Sequence, residues 1–423
     1  MTGTLRWVLL TLCVTEITSW GVLYYAFTVL SEQISADTGW SAPAVTAAFS
    51  AGLVTAALVG IPVGGLLDRV GPRWIMTVGS VLGCVAVLAV VAAPNYGWFV
   101  AAWVLAGLAM SAVFYAPAFT ALTRYFGTRA VRALTVLTLV AGFASTVFAP
   151  LTAALAAQMS WRQTYLVLAA VLAVITVPAH FFGLRRPWPS MITAHEVETP
   201  TRTARSLPFL ALVAAFALAG LASYAVIANL VPLMSQRGIS TGAAALALGL
   251  GGAGQVLGRL GYQTLVRRVG VVPRTVIIMA GVAATTVLLG AFSSYGALLV
   301  VAIGAGVMRG IMTLLQATAV TERWGPTHYG HLSGILNAPV MIATAVGPFV
   351  GAALASVLGG YAAMFIALGA IAAAGALLAM ATSVRDPAAG RRRLFGDSSE
   401  APHATDPAGR VVHEGEPDRG SAR

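Results

Sequence analysis

Along this 423-residue chain apolar residues recur in runs of about 20, parted by short polar turns, and twelve such runs can be drawn. They cover roughly 7–30, 43–67, 74–93, 98–122, 134–157, 164–184, 207–233, 242–266, 274–292, 295–320, 329–354 and 360–383. At about 1.5 Å per residue each run is long enough, as a helix, to cross the hydrocarbon core of a bilayer. Unpaired backbone is excluded there, and the runs are too long and too uniformly apolar for barrel strands, so helices are expected throughout. Composition agrees: 58% of residues are hydrophobic and 9% charged, against about 25% charged in soluble domains. The 45 glycines suit helices that pack closely in lipid. The expected fold class is an all-α membrane protein of twelve transmembrane helices.

All 25 basic residues are arginine, and their placement sets the expected orientation. The even-numbered loops hold Arg69, Arg73, Arg124, Arg129, Arg132, Arg185, Arg186, Arg202, Arg205, Arg267, Arg268, Arg274 and Arg323, and both termini add more. The odd-numbered loops hold Arg162 and Arg237. The positive-inside rule then places both termini in the cytoplasm, in a multi-pass protein of the cytoplasmic membrane. Arginines placed mostly in short loops and a tail argue for a lipid bilayer as the partner and against nucleic acid. The N-terminal run continues to Leu30, too long for a signal-peptide core, and is read as a retained first span. Cys13 and Cys84 fall inside apolar runs and read as buried free thiols.

Residues 185–206 form a polar, proline-bearing cytoplasmic linker between an N-terminal bundle, 1–184, and a C-terminal bundle, 207–384. Residues 385–423 are charged, rich in Pro and Gly, and read as a disordered cytoplasmic tail. The bundles repeat each other. Residues 121–150 align without gaps on 319–348, matching Thr123 with Thr321, Gly127 with Gly325 and Pro150 with Pro348. At an offset of 199, Asp68-Arg69-Val70-Gly71 falls on Arg267-Arg268-Val269-Gly270. Two pseudo-symmetric six-helix bundles are a recognised transporter build, with the substrate site between them at the midplane.

The stretch "GGLLDRVGPRW", 64–74, resembles the signature loop of the major facilitator superfamily. Gly64, Asp68, Arg69, Gly71 and Arg73 fill its positions, and Trp74 stands where the family has a final basic residue. The resemblance implies a loop that latches the two halves, with Asp68 facing the positive end of span eleven. Arg267 replaces the acid in the second copy, so that loop offers no carboxylate for a matching contact. Span eight also resembles that of monocarboxylate transporters and oxalate/formate exchangers, whose arginine contacts a carboxylate. Arg259 occupies that place, while Gln255 stands where the monocarboxylate carriers have an acid, and Asn337 lies near where the oxalate carriers have a lysine.

Three charges lie deep within spans: Glu16, Arg259 and Arg309. Charge at bilayer depth costs at least about 2.5–3.5 kcal/mol and so points to a cavity rather than lipid. Glu16 and Arg309 share a depth, leaving three readings open: a structural ion pair, proton uptake by Glu16, or an anion bound by Arg309. Arg259 is either a second anion ligand or a residue of the cytoplasmic gate and its packing. Thr313 and Gln316 extend a polar stripe from Arg309. Tyr115, before a proline in span four, and Trp20, one turn beyond Glu16, are candidate walls of the site; Tyr224 and Asn229 are weaker ones.

Enzymatic clusters and a phosphate loop are absent from the sequence, and His328 and His331 lack a third metal ligand, so neither cofactor nor metal is expected. The expectation is a proton-coupled secondary carrier of a small, carboxylated organic solute, working as a monomer by alternating access. A proton-driven exporter of drug-like or secondary-metabolite molecules is the alternative.

Overall fold

A computed structural model describes residues 3–189 and 200–383. Residues 190–199 of the expected linker and the expected tail 385–423 lie outside the described residues. The helices follow the apolar runs and most outlast them, whereas span twelve, Tyr361–Met380, is shorter than its run 360–383. Span one runs over residues 3–38, through Gly3–Trp20, a π turn at Gly21–Tyr25, and Ala26–Thr38. Its last turns, "SEQISADT", are too polar for hydropathy to find. Span two is Ala42–Val70 and span three Pro72–Val91. Span four comprises Tyr96–Val113 and Tyr115–Phe126, and span five Ala130–Ala141 and Ala144–Ala156. Span six is Trp161–Gly183, opened by a capping box of Ser160 and Gln163.

Spans seven to twelve are Leu207–Gln236, Thr241–Arg268, Val271–Ala291, Tyr295–Trp324, Tyr329–Val357 and Tyr361–Met380. Among the described residues ten stretches are long and apolar enough to cross a membrane, one of them, Tyr96–Ala156, holding spans four and five together. Span eight completes the twelve. Its glycines, Gln255 and Arg259 dilute its hydropathy, and its packing explains the glycines. Cβ atoms at Gly254, Gly258, Gly306 and Gly310 would run into the backbone of the facing helix in the pair formed by spans eight and ten. The two backbones touch, as small residues permit.

The internal repeat is a repeat of contacts. A Cβ at Gly107 would strike the Gly52 carbonyl, and one at Gly306 would strike the Gly251 carbonyl, each residue 199 positions after its counterpart. Tyr96 donates to the Ala44 carbonyl at 3.0 Å, and Tyr295 to the Ala243 carbonyl at 3.3 Å, again 199 apart. Ser41 and Ser240 cap spans two and eight in the same way.

Spans one to six pack on one another, as do spans seven to twelve. Across the halves, span two lies along span eleven, and span five meets spans eight and ten. These cross-contacts gather on the side that carries the arginine-rich loops, here called the basic side. The inner part of span five, Ala130–Ala141, packs on spans eight and ten, whereas its outer part, Ala144–Ala156, packs chiefly on spans one and six. The arginines of the opposite side serve their own halves: Arg162 pairs with Asp37, and Arg237 donates to the Leu289 carbonyl at 2.8 Å, at the end of span nine. Cys13 and Cys84 are free thiols.

Candidate functional site

Between the halves lies a cavity of about 690 Å³. Three first-half helices that border it lose regularity at its level. Span one makes its π turn immediately after Trp20, with Ala26 donating to the Gly21 carbonyl. Span four breaks at Phe114, whose backbone is extended (φ −88°, ψ −168°). Pro117, three residues on, has no N–H for the Val113 carbonyl four residues back, which favours the break. Proline alone does not cause it: Pro62, Pro150, Pro178, Pro232, Pro339 and Pro348 all sit inside continuous helices. What distinguishes Phe114 is its ring, stacked on Trp20 with centroids 4.1 Å apart and planes 11° from parallel. Span five breaks at Gly142 and Phe143.

Trp20, Tyr115, Arg259, Arg309, Gln316 and Asn337 all line this cavity. Trp20, Tyr115 and Phe119 form an aromatic wall, with Tyr115 tilted on Trp20 at 5.1 Å and stacked on Phe119 at 5.1 Å. Opposite them, Gln316 donates to Asn337 Oδ1 at 2.6 Å, joining spans ten and eleven. Thr313 lines the cavity and returns its hydroxyl to the Arg309 carbonyl at 3.0 Å. The stripe Arg309, Thr313 and Gln316 thus faces space rather than lipid.

The two arginines stand differently. Arg259 is 7% exposed, and its Nη1 donates to the Thr138 carbonyl of span five at 2.7 Å. That carbonyl also accepts from Gly142 N at 3.1 Å. A Cβ at Gly142 would stand 2.9 Å from Arg259 Nη1, so glycine makes room for the guanidinium. Arg259 is therefore a tie between the halves at the margin of the cavity. Arg309 is half-buried and rests over Gly251 of its own half, while the Nε of both arginines is without a hydrogen-bond partner. Among the described residues no acid lines the cavity, which leaves two guanidiniums facing an aromatic and hydroxyl-bearing wall.

Glu16 lies apart from that lining. It is fully buried, its Oε2 accepts from Trp20 Nε1 at 3.0 Å, and its Oε1 has no hydrogen-bond partner. The ion pair between Glu16 and Arg309 is not formed in this conformation. The glutamate turns to the indole one turn along its own helix, and Arg309 faces the cavity.

Of the predicted latch residues, Gly64 and Asp68 occupy the contact between spans two and eleven, and Arg69, Gly71 and Arg73 do not. Asp68 Oδ1 accepts from Gly330 N at 3.0 Å, and Oδ2 from His331 N at 2.9 Å. The carboxylate thus caps the first turn of a helix in the other half, where unpaired N–H groups and the helix dipole favour an anion. Gly64 and Gly330 approach backbone to backbone, as do Gly60 and Gly334. Gly71 takes φ +84°, and the Trp188 indole packs against it. Arg124 and Trp188 both donate to the Asp68 carbonyl, at 2.6 and 3.1 Å, and stack on each other. Arg73 stays in its own half, bonded to the Phe181 carbonyl at 3.0 Å, and Arg69 is exposed. In the second half Arg274 pairs with Glu322, and its Nη1 reaches the Val269 carbonyl at 3.1 Å.

Several lining residues escape a reading of charge and polarity. Phe119, Phe143 and Met312 are apolar residues in apolar helices, and nothing in their sequence context marks them. Tyr25, Ser145, Ser223 and Thr344 carry a weak signal, a hydroxyl within a span. Tyr224 lines the cavity, whereas Asn229 donates to the Ala225 carbonyl at 2.8 Å and packs beside Gly351. His328 and His331 sit at the start of span eleven. Among the described residues no group of three or more His, Cys, Asp or Glu is placed to hold a metal.

Twelve helices in two repeated halves around a central cavity define a polytopic membrane transporter fold. The Major Facilitator Superfamily model matches residues 12–295 and 210–410, and the chain belongs to that family of transporters. A curated relative, an uncharacterized MFS-type transporter YcxA of Bacillus subtilis (strain 168), is 29% identical over 136 residues, 32% of this chain. The chain spans about a third of that relative's length, 33%. Among solved structures, the E. coli fucose:proton symporter FucP superposes with a TM-score of 0.70 at 14% identity, over 89% of this chain and 98% of that one. FucP in the outward conformation gives 0.71 at 14% identity, over 89% and 99%. At that identity the likeness is one of fold.

Proposed function

We propose that the chain is a secondary active transporter that moves a small carboxylated organic solute across the cytoplasmic membrane by alternating access, coupled to protons. The observation that carries the substrate class is the pair Arg259 and Arg309 in a cavity with no acid among its described lining residues. A guanidinium at bilayer depth is costly, and its planar fork suits a carboxylate. In this reading Arg309 holds the anion while the aromatic wall of Trp20, Tyr115 and Phe119 shapes the rest of the solute. The arrangement of the halves, joined on the basic side by Asp68 and Arg259, corresponds to a cavity closed toward the cytoplasm. That assignment takes the arginine-rich side and both termini as cytoplasmic. Glu16 is the proton site, a carboxyl within one side chain of the cavity.

Uptake and counterflow of labelled lactate, formate, oxalate and acetate in proteoliposomes, with and without a pH gradient, test this. Arg309→Gln is expected to raise the KM for the transported carboxylate about 100-fold, as loss of one partner of a buried charge pair does. Glu16→Gln is expected to keep counterflow and lose pH-driven uptake. Wild-type protein that moves none of these anions would transfer the proposal to export of drug-like molecules, for which the aromatic wall is the supporting observation.

A further inference from the structure

Glu16 is fully buried and does not line the cavity, yet the residue bonded to it does. The Trp20 indole donates Nε1–H to Glu16 Oε2 at 3.0 Å, stacks on Phe114, and presents its remaining surface to the cavity beside Tyr115. An indole N–H only donates. The bond is therefore made to an oxygen that carries no proton, and it is stronger to the charged form of the glutamate than to the neutral one. Oε1, without a partner, is the oxygen that a proton would occupy.

The supports of this ring are the irregular segments of their helices. The π turn begins at the residue after Trp20, and Phe114 is the extended break in span four. A displacement of the indole costs little regular helix on either side. No charge stands in for it. The titratable neighbours of Glu16 are Cys13 on its own span and Tyr115 of span four. Of the other spans packed on span one, two carries Asp68 and Arg69 in its last turn, at the basic side, and five has Arg132, in its first turn, as its one charged or titratable residue. Span six brings Arg162 in its first turn, Tyr165, and His180, which is bonded to Ser80 at 2.7 Å.

We infer that Trp20 is the positioning residue that links occupancy of the cavity to the charge on Glu16. A solute or a helix movement that displaces the indole withdraws the donor from Oε2, and a proton passes from cavity water to the carboxylate. Return of the indole releases that proton to the cavity. This rests on the reading of Glu16 as the proton site and adds how the site senses the cavity.

Dicyclohexylcarbodiimide, which reacts with protonated carboxyls in apolar surroundings, tests this without a known substrate. Labelling is read on the Glu16 peptide by mass spectrometry across a pH series, with Glu16→Gln as the blank. Trp20→Phe keeps a ring and removes the donor. Its labelling profile is expected to move about one pH unit higher than wild type, the effect of losing a hydrogen bond to a charged group, with about tenfold faster labelling on the alkaline limb. Phe114→Leu leaves the donor and removes the stack, so a smaller shift in the same direction is expected; it serves if Trp20→Phe does not fold. Both variants labelling at the wild-type rate and pH would overturn the inference, as would pH-driven uptake that survives Glu16→Gln. A shifted profile in a protein that moves no carboxylate leaves the inference standing and removes the proposed substrate class.

Discussion

The two halves are alike where they support themselves and unlike where they face the cavity. Glycine contacts and tyrosine bonds recur at a constant spacing, so spans two and four are held as spans eight and ten are. Around the cavity, however, the first half offers three interrupted helices, at Gly21–Tyr25, Phe114 and Gly142. The second half offers spans seven, eight, ten and eleven without a break. The loops differ likewise. Asp68 reaches across to span eleven, while the second copy has Arg267, and its Arg274 binds Glu322 within the half. A duplicated scaffold has thus been kept for packing and divided for work. One half carries the bends and the acid that caps span eleven; the other carries the stiff wall that holds Arg309.

The largest effect expected from breaking the likeness is on stability. Gly107→Ala and Gly306→Ala each set a methyl against a facing carbonyl, and overpacking of this kind costs about 1–3 kcal/mol. Thermal unfolding in detergent should fall by similar amounts in both, and a large difference between them would show that the repeat no longer packs as a repeat. Next comes Asp68→Asn, which removes the charge that caps span eleven. Loss of such a cap costs about 1–2 kcal/mol, enough to shift the balance of the two access states roughly five- to thirtyfold. Arg267→Gln, the matching change in the other half, should leave that balance unmoved. Solvent labelling of single cysteines placed on each side reads both. The smallest effect is expected from Pro117→Ala, which restores an N–H to the Val113 carbonyl and straightens span four. Exchange should slow a few-fold with unfolding unchanged, since a hydrogen bond contributes about 1 kcal/mol. Exchange at the wild-type rate would mean that the break at Phe114 is not a working bend.

Much of this was legible in the residues. Hydropathy marks the spans because lipid tolerates no unpaired backbone, and the repeat is visible because backbone contacts need glycine at fixed places. The candidate lining residues Arg259, Arg309 and Gln316 stand out because polarity inside a span is costly. The remainder depends on tertiary detail. Pro117 is one proline among several, and only the Trp20 ring on Phe114 separates it from those in continuous helices. A shared depth brings Glu16 and Arg309 to mind as partners, yet depth does not say which way each side chain turns. The indole at i+4 is nearer, and it takes the carboxylate. Arg259 is ambiguous between ligand and gate in sequence because the partner it has in this conformation is a main-chain carbonyl on another helix, which no side-chain pattern records.

Asp68 binds span eleven through main-chain N–H groups rather than side chains. The two positions it grips are therefore under unequal restraint. At 330 a Cβ would collide with the Gly64 carbonyl and with Asp68 itself, so glycine is required by space. At 331 every amino acid except proline supplies the same donor. A substitution at residue 331 therefore leaves that main-chain bond available, whereas a proline there would remove one of the two bonds that Asp68 makes.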